Sequence, residues 1–406
     1  MQGADSDYHT IVVGIGAHGS AALYQIAKRG YKVLGLEQFS EVAHDRGSSH
    51  GSSRIIRLQY HEHPDYVPLL HRAYKLWRDL EADSGKTVLH ITGCLEFSDP
   101  VRTVSNCFGH ALRSAIEHNL EHEVLTGEEV NKRFPGWRLP SHFKALYQPQ
   151  GGILNSEEGI RAHTRAAQKH GAILHTGERV QRWQVLPSGK VEVITNKATY
   201  TAGRLVLTAG AWMPSPELVP ELRGITQVQR QVIGWFEVAD KAAFSMEKFP
   251  VFIFDDDQLG EYYGFPEFDN LPGMKIGKFY HLNEAALPDQ LSRDITSADE
   301  EVLRDGISRY LPEANGRMLK AVACMFTNSP DSRFIIDKHP LHHQVVLCSA
   351  CSGHGYKFAS VVGEILADLA TSGTTQHDIA LHRITEDRKG MDGLLGRFAR
   401  NPKARL

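Results

Sequence analysis

The feature that most constrains this chain is a glycine-spaced break at the end of a short apolar run, where Thr10-Ile11-Val12-Val13 passes directly into Gly14-Ile15-Gly16-Ala17-His18-Gly19. Serial β-branched residues read as a buried strand, and the change to glycine reads as a turn. The spacing predicts a helix running on through Ala22, Leu23, Ile26 and Ala27, with Lys28 and Arg29 in its last turn and Gly30 as its stop. A second apolar strand, Lys32 to Glu37, then ends on a carboxylate. Strand, helix and strand closed by an acid form the dinucleotide-binding pattern. Gly14 allows the tight turn, Gly16 lets the backbone approach a pyrophosphate, and Gly19 permits close helix-to-strand packing. Glu37 is placed to accept hydrogen bonds from both ribose hydroxyls, which disfavours a 2′-phosphate.

With 406 residues the chain is too long for one ordinary core, so this unit accounts for only part of it. An apolar share of 41% with 23% charged residues describes a globular chain rather than a disordered one. Lys plus Arg number 45 against 48 Asp plus Glu, which lacks the basic excess that nucleic-acid binding needs. Five cysteines, at 94, 107, 324, 348 and 351, are an odd set that does not read as a disulfide framework, and a reducing compartment is expected. Met1 to His9 lacks the basic flank and apolar stretch of a secretory signal. The run Ile11 to Ala27 is broken by His18, Gln25 and three glycines, so no membrane span is expected there.

Neither an internal repeat nor a Pro- or Ser-rich linker divides the chain, and the domains are therefore expected to interleave. Strands recur at Arg204 to Thr208 and Val345 to Cys348, each followed by a small-residue turn, as nucleotide-domain strands should be. Gln227 to Val238 and Val251 to Phe254 alternate and then turn, in the manner of an antiparallel sheet. The expected fold class is α/β, with a Rossmann-like nucleotide domain interleaved with an α+β substrate domain built on a largely antiparallel sheet. Residues 1–90, 151–225 and 321–395 are assigned to the first domain, 91–150 and 226–320 to the second, and 396–406 to a tail.

The segment Gly47-Ser48-Ser49-His50-Gly51-Ser52-Ser53-Arg54-Ile55-Ile56-Arg57 sets two arginines three apart after a serine-rich helix start, which predicts that they share a helical face. Far downstream come Cys324-Met325-Phe326-Thr327-Asn328-Ser329-Pro330-Asp331, Phe334-Ile335-Ile336-Asp337 and Ser352-Gly353-His354-Gly355-Tyr356-Lys357-Phe358. Together these segments closely resemble the monomeric sarcosine oxidase and N-methyl amino acid oxidase family of flavoproteins. The resemblance runs from Thr10 to Ile384. It implies FAD on a Rossmann-like domain of the glutathione-reductase type. The residues implied to hold it are Gly14, Gly16, Gly19, Glu37, Ser49, His50, Ser53, Arg54, Val180, Gly210, Gly353, Gly355 and Lys357, with a covalent link through Cys324. The Cys348-x-x-Cys351 pair closes a predicted strand and has no second pair with which to hold zinc.

An oxidase of this kind removes a hydride equivalent from the carbon beside a nitrogen, and that nitrogen must be neutral. A secondary ammonium with a pKa near ~10 requires about 4 kcal/mol for deprotonation at pH 7. The resemblance implies that Arg54 lies over the flavin, where its charge favours the neutral amine and the reduced ring. It implies that Arg57 and Lys357 clamp the substrate carboxylate and so set the reacting geometry. Lys275, in Gly273-Met274-Lys275-Ile276-Gly277, is implied as the cation that stabilises superoxide, and Tyr263 as a wall of the substrate pocket. Read without the resemblance, Lys275 is the outward residue of an alternating strand. Phe326 stands where the family has tyrosine. The stretch Gly277-Lys278-Phe279-Tyr280-His281 does not align cleanly, which leaves His281 as the active-site histidine with Tyr280 competing. Both departures point away from sarcosine, toward a bulkier, aromatic N-methyl amino acid.

The implied reaction gives an imine and hydrogen peroxide, and hydrolysis of the imine then releases aldehyde and amine. Two alternatives keep the flavin: a biosynthetic oxidase whose imine is trapped by intramolecular cyclisation, and a dehydrogenase that passes electrons to an acceptor other than oxygen. The stretch His118-Asn119-Leu120-Glu121-His122 fits the H-x-x-E-H zinc pattern. Asn119 reads as a helix terminator, however, so no metal site is expected. Ser49 and Ser53 have no Ser-His-Asp setting. The tripeptide Ala404-Arg405-Leu406 is a relaxed form of the Ser-Lys-Leu peroxisomal address, with the cytoplasm as the alternative location. A monomer with no nucleic-acid or membrane partner is expected.

Overall fold

A computed structural model describes residues 7–99 and 106–400. The glycine-spaced run folds as strand Asp7–Val13, helix Ala17–Lys28 and strand Val33–Leu36, with Gly30 at φ +83° just past the helix. The helix crosses over between the two strands, so they pair in parallel, Val13 beside Leu36. On the other side of the first strand lies Thr199–Leu207, also parallel, and its far edge branches. Residues 199–202 take the antiparallel strand Val191–Thr195, while residues 205–207 take the parallel strand Val345–Ser349. Helices Ala17–Lys28 and Ala359–Thr371 pack on this sheet and on each other, and Ser156–Lys169 packs on the first of them. A Cβ added at Gly363 would lie 2.5 Å from the Ala21 Cβ, so the first and last of these helices touch backbone to backbone.

The second large sheet runs in the order Met318–Asn328, Gln227–Phe236, Met274–Lys278, Gly260–Phe265, Val251–Asp256, Cys94–Ser98, Lys144–Gln148 and Glu123–Thr126. Six of its seven pairings are antiparallel; Val251–Asp256 runs parallel to Cys94–Ser98. Ile173–His175, Val180–Val185 and Ile335–Lys338 are further strands of the first sheet, and a small sheet of Ser53–Ile56, Gly152–Asn155 and Leu89–Ile91 stands apart from both. The fold is thus mixed α/β, as the sequence predicts, and a cavity runs between the two large sheets. Among the described residues, no helix is long and apolar enough to cross a membrane.

Two expectations are corrected. The residues after the serine-rich stretch form a strand, not a helix: Gly51 at φ +99° and Ser52 at φ +67° break the helical path, and Ile55 and Ile56 suit a pleated surface. Arg54 and Arg57 therefore do not share a helical face. The return to the first layer, placed at 321, falls later, because Met318–Asn328 pairs with Gln227–Phe236 through to the Gln227 and Asn328 pair. The helix Cys107–Glu117 stops before His118, with Asn119 left-handed at φ +50°, so His118 and His122 do not share a helical turn.

Candidate active site

The glycine fingerprint forms one end of an elongated cavity of about 1860 Å³, its open mouth included. Gly14 is left-handed at φ +86°, and a Cβ there would meet the Ala209 Cα at 2.8 Å. A Cβ on Gly19 would meet the Gly14 carbonyl oxygen at 1.9 Å, so the helix can sit this close to the turn only without one. At Gly16 a Cβ would meet nothing within 4 Å: this glycine faces the cavity rather than protein. Glu37 is pinned by the Ile15 N–H at 2.9 Å and the Phe39 N–H at 3.1 Å, and each carboxylate oxygen keeps lone-pair capacity for a ribose hydroxyl. Glu37, Val180 and Gly210 line the cavity, as do Ser49, Arg54, Cys324, Gly353, Gly355 and Lys357. An open glycine cradle, an acid for a ribose and a long slot beyond them fit FAD. His50 and Ser53, also expected to touch the cofactor, are buried and do not line the cavity, and the Ser53 hydroxyl accepts from Lys275.

The far end of the cavity is roofed by the second sheet, whose pairings arrange the side chains in rows. Glu96, Ile253, Tyr263, Gly277 and Ile233 lie abreast on successive strands. One row to one side, Trp235, Lys275 and Phe265 lie abreast. One row to the other, Ser98, Asp255 and Glu261 lie abreast, and the Phe279 N–H continues the line by bonding the Glu261 carbonyl. Tyr263, Phe279 and Phe326 make an apolar box, with ring centroids 5.2 Å and 5.7 Å apart along it. Gly353 at φ +79° closes on this box, since a Cβ would strike Phe326 and Phe279 below 3 Å.

Three cationic side chains stand near Cys324. Arg54 donates to the carbonyls of Ser53, Ser48 and His50 at 2.8, 2.8 and 2.7 Å, and no ion pair among the described residues neutralises it. Lys275 is buried, not outward as its alternation predicts. It donates to the Gly51 carbonyl at 2.7 Å and to the Ser53 carbonyl and hydroxyl at 2.9 Å each, and lies 4.3 Å from the Phe265 ring centroid. Burial, then the Arg54 charge, hold its pKa well below the usual lysine range. Burial pushes the Cys324 thiol up, whereas Arg54, Lys275 and Arg293 favour its thiolate.

Arg57 and Lys357 line the same cavity. Tyr60 lies between them, 4.7 Å from the guanidinium and 5.1 Å from the ammonium by ring centroid. Lys357 donates to the His354 carbonyl at 2.7 Å, and burial followed by the Arg57 charge bring its pKa down to about 7. His354 lies 2.9 Å from the Ser332 carbonyl through Nε2, so that nitrogen carries the proton and Nδ1 accepts from the Tyr60 hydroxyl at 2.6 Å. Arg57 is already engaged, with Nη2 on Glu62 and Nε on Glu96, each at 2.7 Å. Glu62 is held well below the carboxylate range because Arg57 and His61 outweigh its burial. Burial opposes a charge on His61, but Glu62, Glu261 and Glu96 raise its pKa to about 9.

His281 is corrected: its Nε2 pairs with Asp299 at 2.9 Å beneath the Arg230 ion pair, and it does not line the cavity. Tyr280, its competitor, is exposed at φ +57°. Phe279 takes the position facing the cavity, because the left-handed turn at Tyr280 carries the chain away. The sequence reading also missed Tyr60, His61, Glu62, Glu96 and Glu261. Glu62 follows Arg57 by five residues and was within reach of a local argument; Glu96 and Glu261 meet this site only through strand pairing.

A glycine cradle, a ribose acid and a cationic slot between two sheets define a flavin-dependent redox enzyme. The chain belongs to the FAD dependent oxidoreductase family, whose model matches residues 9–369. It is 40% identical to the monomeric sarcosine oxidase of Streptomyces avermitilis over 92% of this chain and 96% of that protein. It is 32% identical to the human peroxisomal sarcosine oxidase, over 93% and 96% respectively. Among solved structures it is similar to NikD, described as an unusual amino acid oxidase essential for nikkomycin biosynthesis, with a TM-score of 0.80, 25% identity and coverage of 93% and 97%.

Proposed function

We propose that this enzyme oxidises a secondary amine, an N-methyl amino acid, to the imine, with oxygen as the electron acceptor and hydrogen peroxide as the product. The observation that carries this reading is the convergence of Arg57 and Lys357 on one cavity beside the apolar box of Tyr263, Phe279 and Phe326. Bound FAD supplies the two-electron acceptor for the C–N bond and returns those electrons to oxygen, and its covalent link is assigned to Cys324. Arg57 and Lys357 hold the substrate carboxylate, and Tyr60 fixes the angle between them. Arg54 keeps positive charge beside the amine and so favours its neutral form. Lys275, within 3 Å of the Ser53 hydroxyl, is the buried amine whose protonated form stabilises the negative charge that develops as oxygen is reduced. The box excludes water and contacts the substrate side chain through rings rather than hydroxyls, which fits a bulkier group than that of sarcosine.

The likeness to NikD supports a second reading, in which an internal nucleophile captures the imine and closes a ring. Peroxide formation and flavin bleaching over a panel of N-methyl and cyclic amino acids test the oxidase reading, and absence of bleaching with every member overturns it. Formaldehyde among the products supports demethylation; a cyclised product without formaldehyde supports the second reading. The Ala404-Arg405-Leu406 address lies outside the described residues, and a peroxisomal location is assigned on it and on the need to contain peroxide.

A further inference from the structure

Beside the cavity-lining Glu62, one row beyond the lining residues Ile253 and Tyr263, the sheet that roofs the cavity turns acidic. Asp255 and Glu261 are directly opposed on neighbouring strands, on the face that carries Ile253 and Tyr263. Like charges so placed repel, and nothing in the fold requires them there. The two are also poorly satisfied. Asp255 is 6% exposed, yet its Oδ2 has no hydrogen-bond partner among the described residues, and Glu261 Oε1 has only the longer ion-pair contact with His61 Nε2 at 3.5 Å. A buried acceptor without a donor costs about 1–3 kcal/mol, and an incoming cationic nitrogen would supply the donor that Asp255 Oδ2 lacks. The Glu261 side chain is 23% exposed and the Glu62 side chain 18%, which leaves a way in.

The charges of the whole site tell the same story. Glu62 and Glu96 already occupy Arg57, and His61 stands 3.5 Å from Glu261. The three cations Arg57, His61 and Lys357 face the four carboxyl groups Glu62, Glu96, Glu261 and Asp255. A substrate carboxylate seated on Arg57 and Lys357 adds one more negative charge, and the neutral reacting amine offsets none of it. Burial, with Glu62 and Asp255 nearby, raises the Glu261 pKa to about 7 against the pull of His61, so this carboxyl gains from any added cation.

We infer that Asp255 and Glu261, with Glu62 at the rim, form a side-chain subsite for a cationic nitrogen, and that the substrate is an N-methyl amino acid with a basic side chain. This rests on the oxidase reading above and narrows it. Glu261 precedes Tyr263 by two residues on one face of a strand, a gap of about 7 Å that a stem of about four methylenes spans, with the apolar box along its length.

The test uses Nα-methyl-L-lysine and its uncharged isostere Nα-methyl-L-norleucine on the flavin-loaded enzyme. The expected kcat/KM ratio, lysine compound over norleucine compound, is about tenfold or more, the worth of one charge-assisted hydrogen bond. Asp255→Asn and Glu261→Gln should each lower that ratio several-fold, and Asp255→Glu should preserve it. Because a ratio cancels the fraction of folded protein, poor folding of a variant cannot imitate the result. A wild-type ratio of one or below, or a ratio unmoved by both amide variants, overturns the inference while leaving the oxidase reading intact. If neither compound bleaches the flavin, the oxidase reading fails and the subsite is judged by binding, through perturbation of the flavin spectrum. Tighter binding of the lysine compound that is lost in the amide variants sustains it, and equal binding overturns it.

Discussion

At the scale of single residues, the site depends on cations held where water cannot screen them. Lys275→Met removes the buried amine beside Arg54 and Cys324, and with it the proton and charge it can offer to reduced oxygen; it is expected to slow flavin reoxidation by on the order of 10²-fold in stopped-flow, with much less effect on anaerobic reduction. Equal slowing of both half-reactions would place Lys275 elsewhere in the mechanism. Cys324→Ala is expected to release flavin into the supernatant on denaturation, where the wild-type protein stays yellow. Lys357, with its pKa near 7, gives a pH prediction. Its ammonium is present below pH 7 and lost above, so affinity for a simple carboxylate such as acetate should fall as the pH rises through 7. Glu261 ionises over the same range and acts in the same direction, and the Lys357→Met variant separates the two by retaining only the Glu261 part. The lysine between Met274 and Ile276 also shows how far a residue can be read in isolation: alternation alone placed Lys275 outside, and the packing of the Ser53–Ile56 strand against it placed it inside.

At the scale of elements, local signals were reliable wherever a conformation is fixed by neighbours in sequence. The helix from Ala17, its stop at Gly30 and the terminator at Asn119 follow from glycine, from asparagine and from apolar spacing. The Arg54 segment misled because serines before a β-branched pair suit a helix cap and a turn equally well, and strand partners at Gly152–Asn155, about a hundred residues away, decided the matter. The stretch around His281 misled for a related reason: one left-handed residue, Tyr280, reverses which side chain faces the cavity. His281 is thus a support of the helix starting at Ser297, through the buried Asp299 that also holds Arg230. Asp299→Ala should destabilise the fold by about 1–3 kcal/mol, read as a lowered denaturation midpoint, since it removes the buried partner of Arg230 and leaves that charge only Glu284 and two carbonyls. His281→Ala should lower the thermal midpoint while flavin reduction in the folded fraction stays near wild type; a large loss of reduction rate would return His281 to the active site.

At the scale of the whole molecule, the two large sheets enclose a cavity that neither could form alone, and its lining fits FAD. Binding only to the folded state stabilises it by mass action, so flavin-free protein should melt several degrees below the loaded form, by calorimetry at equal concentration. A coincident melt would mean that the cavity contributes little to the fold. What the sequence determined by itself was the nucleotide end and the family, because glycine spacing, a terminal acid and contiguous motifs are local facts about backbone sterics and short-range chemistry. What only the tertiary structure decided was the substrate end. Glu96, Asp255 and Glu261 stand far apart along the chain from Arg57, and only strand pairing, a long-range choice governed by burial, sets their charges side by side.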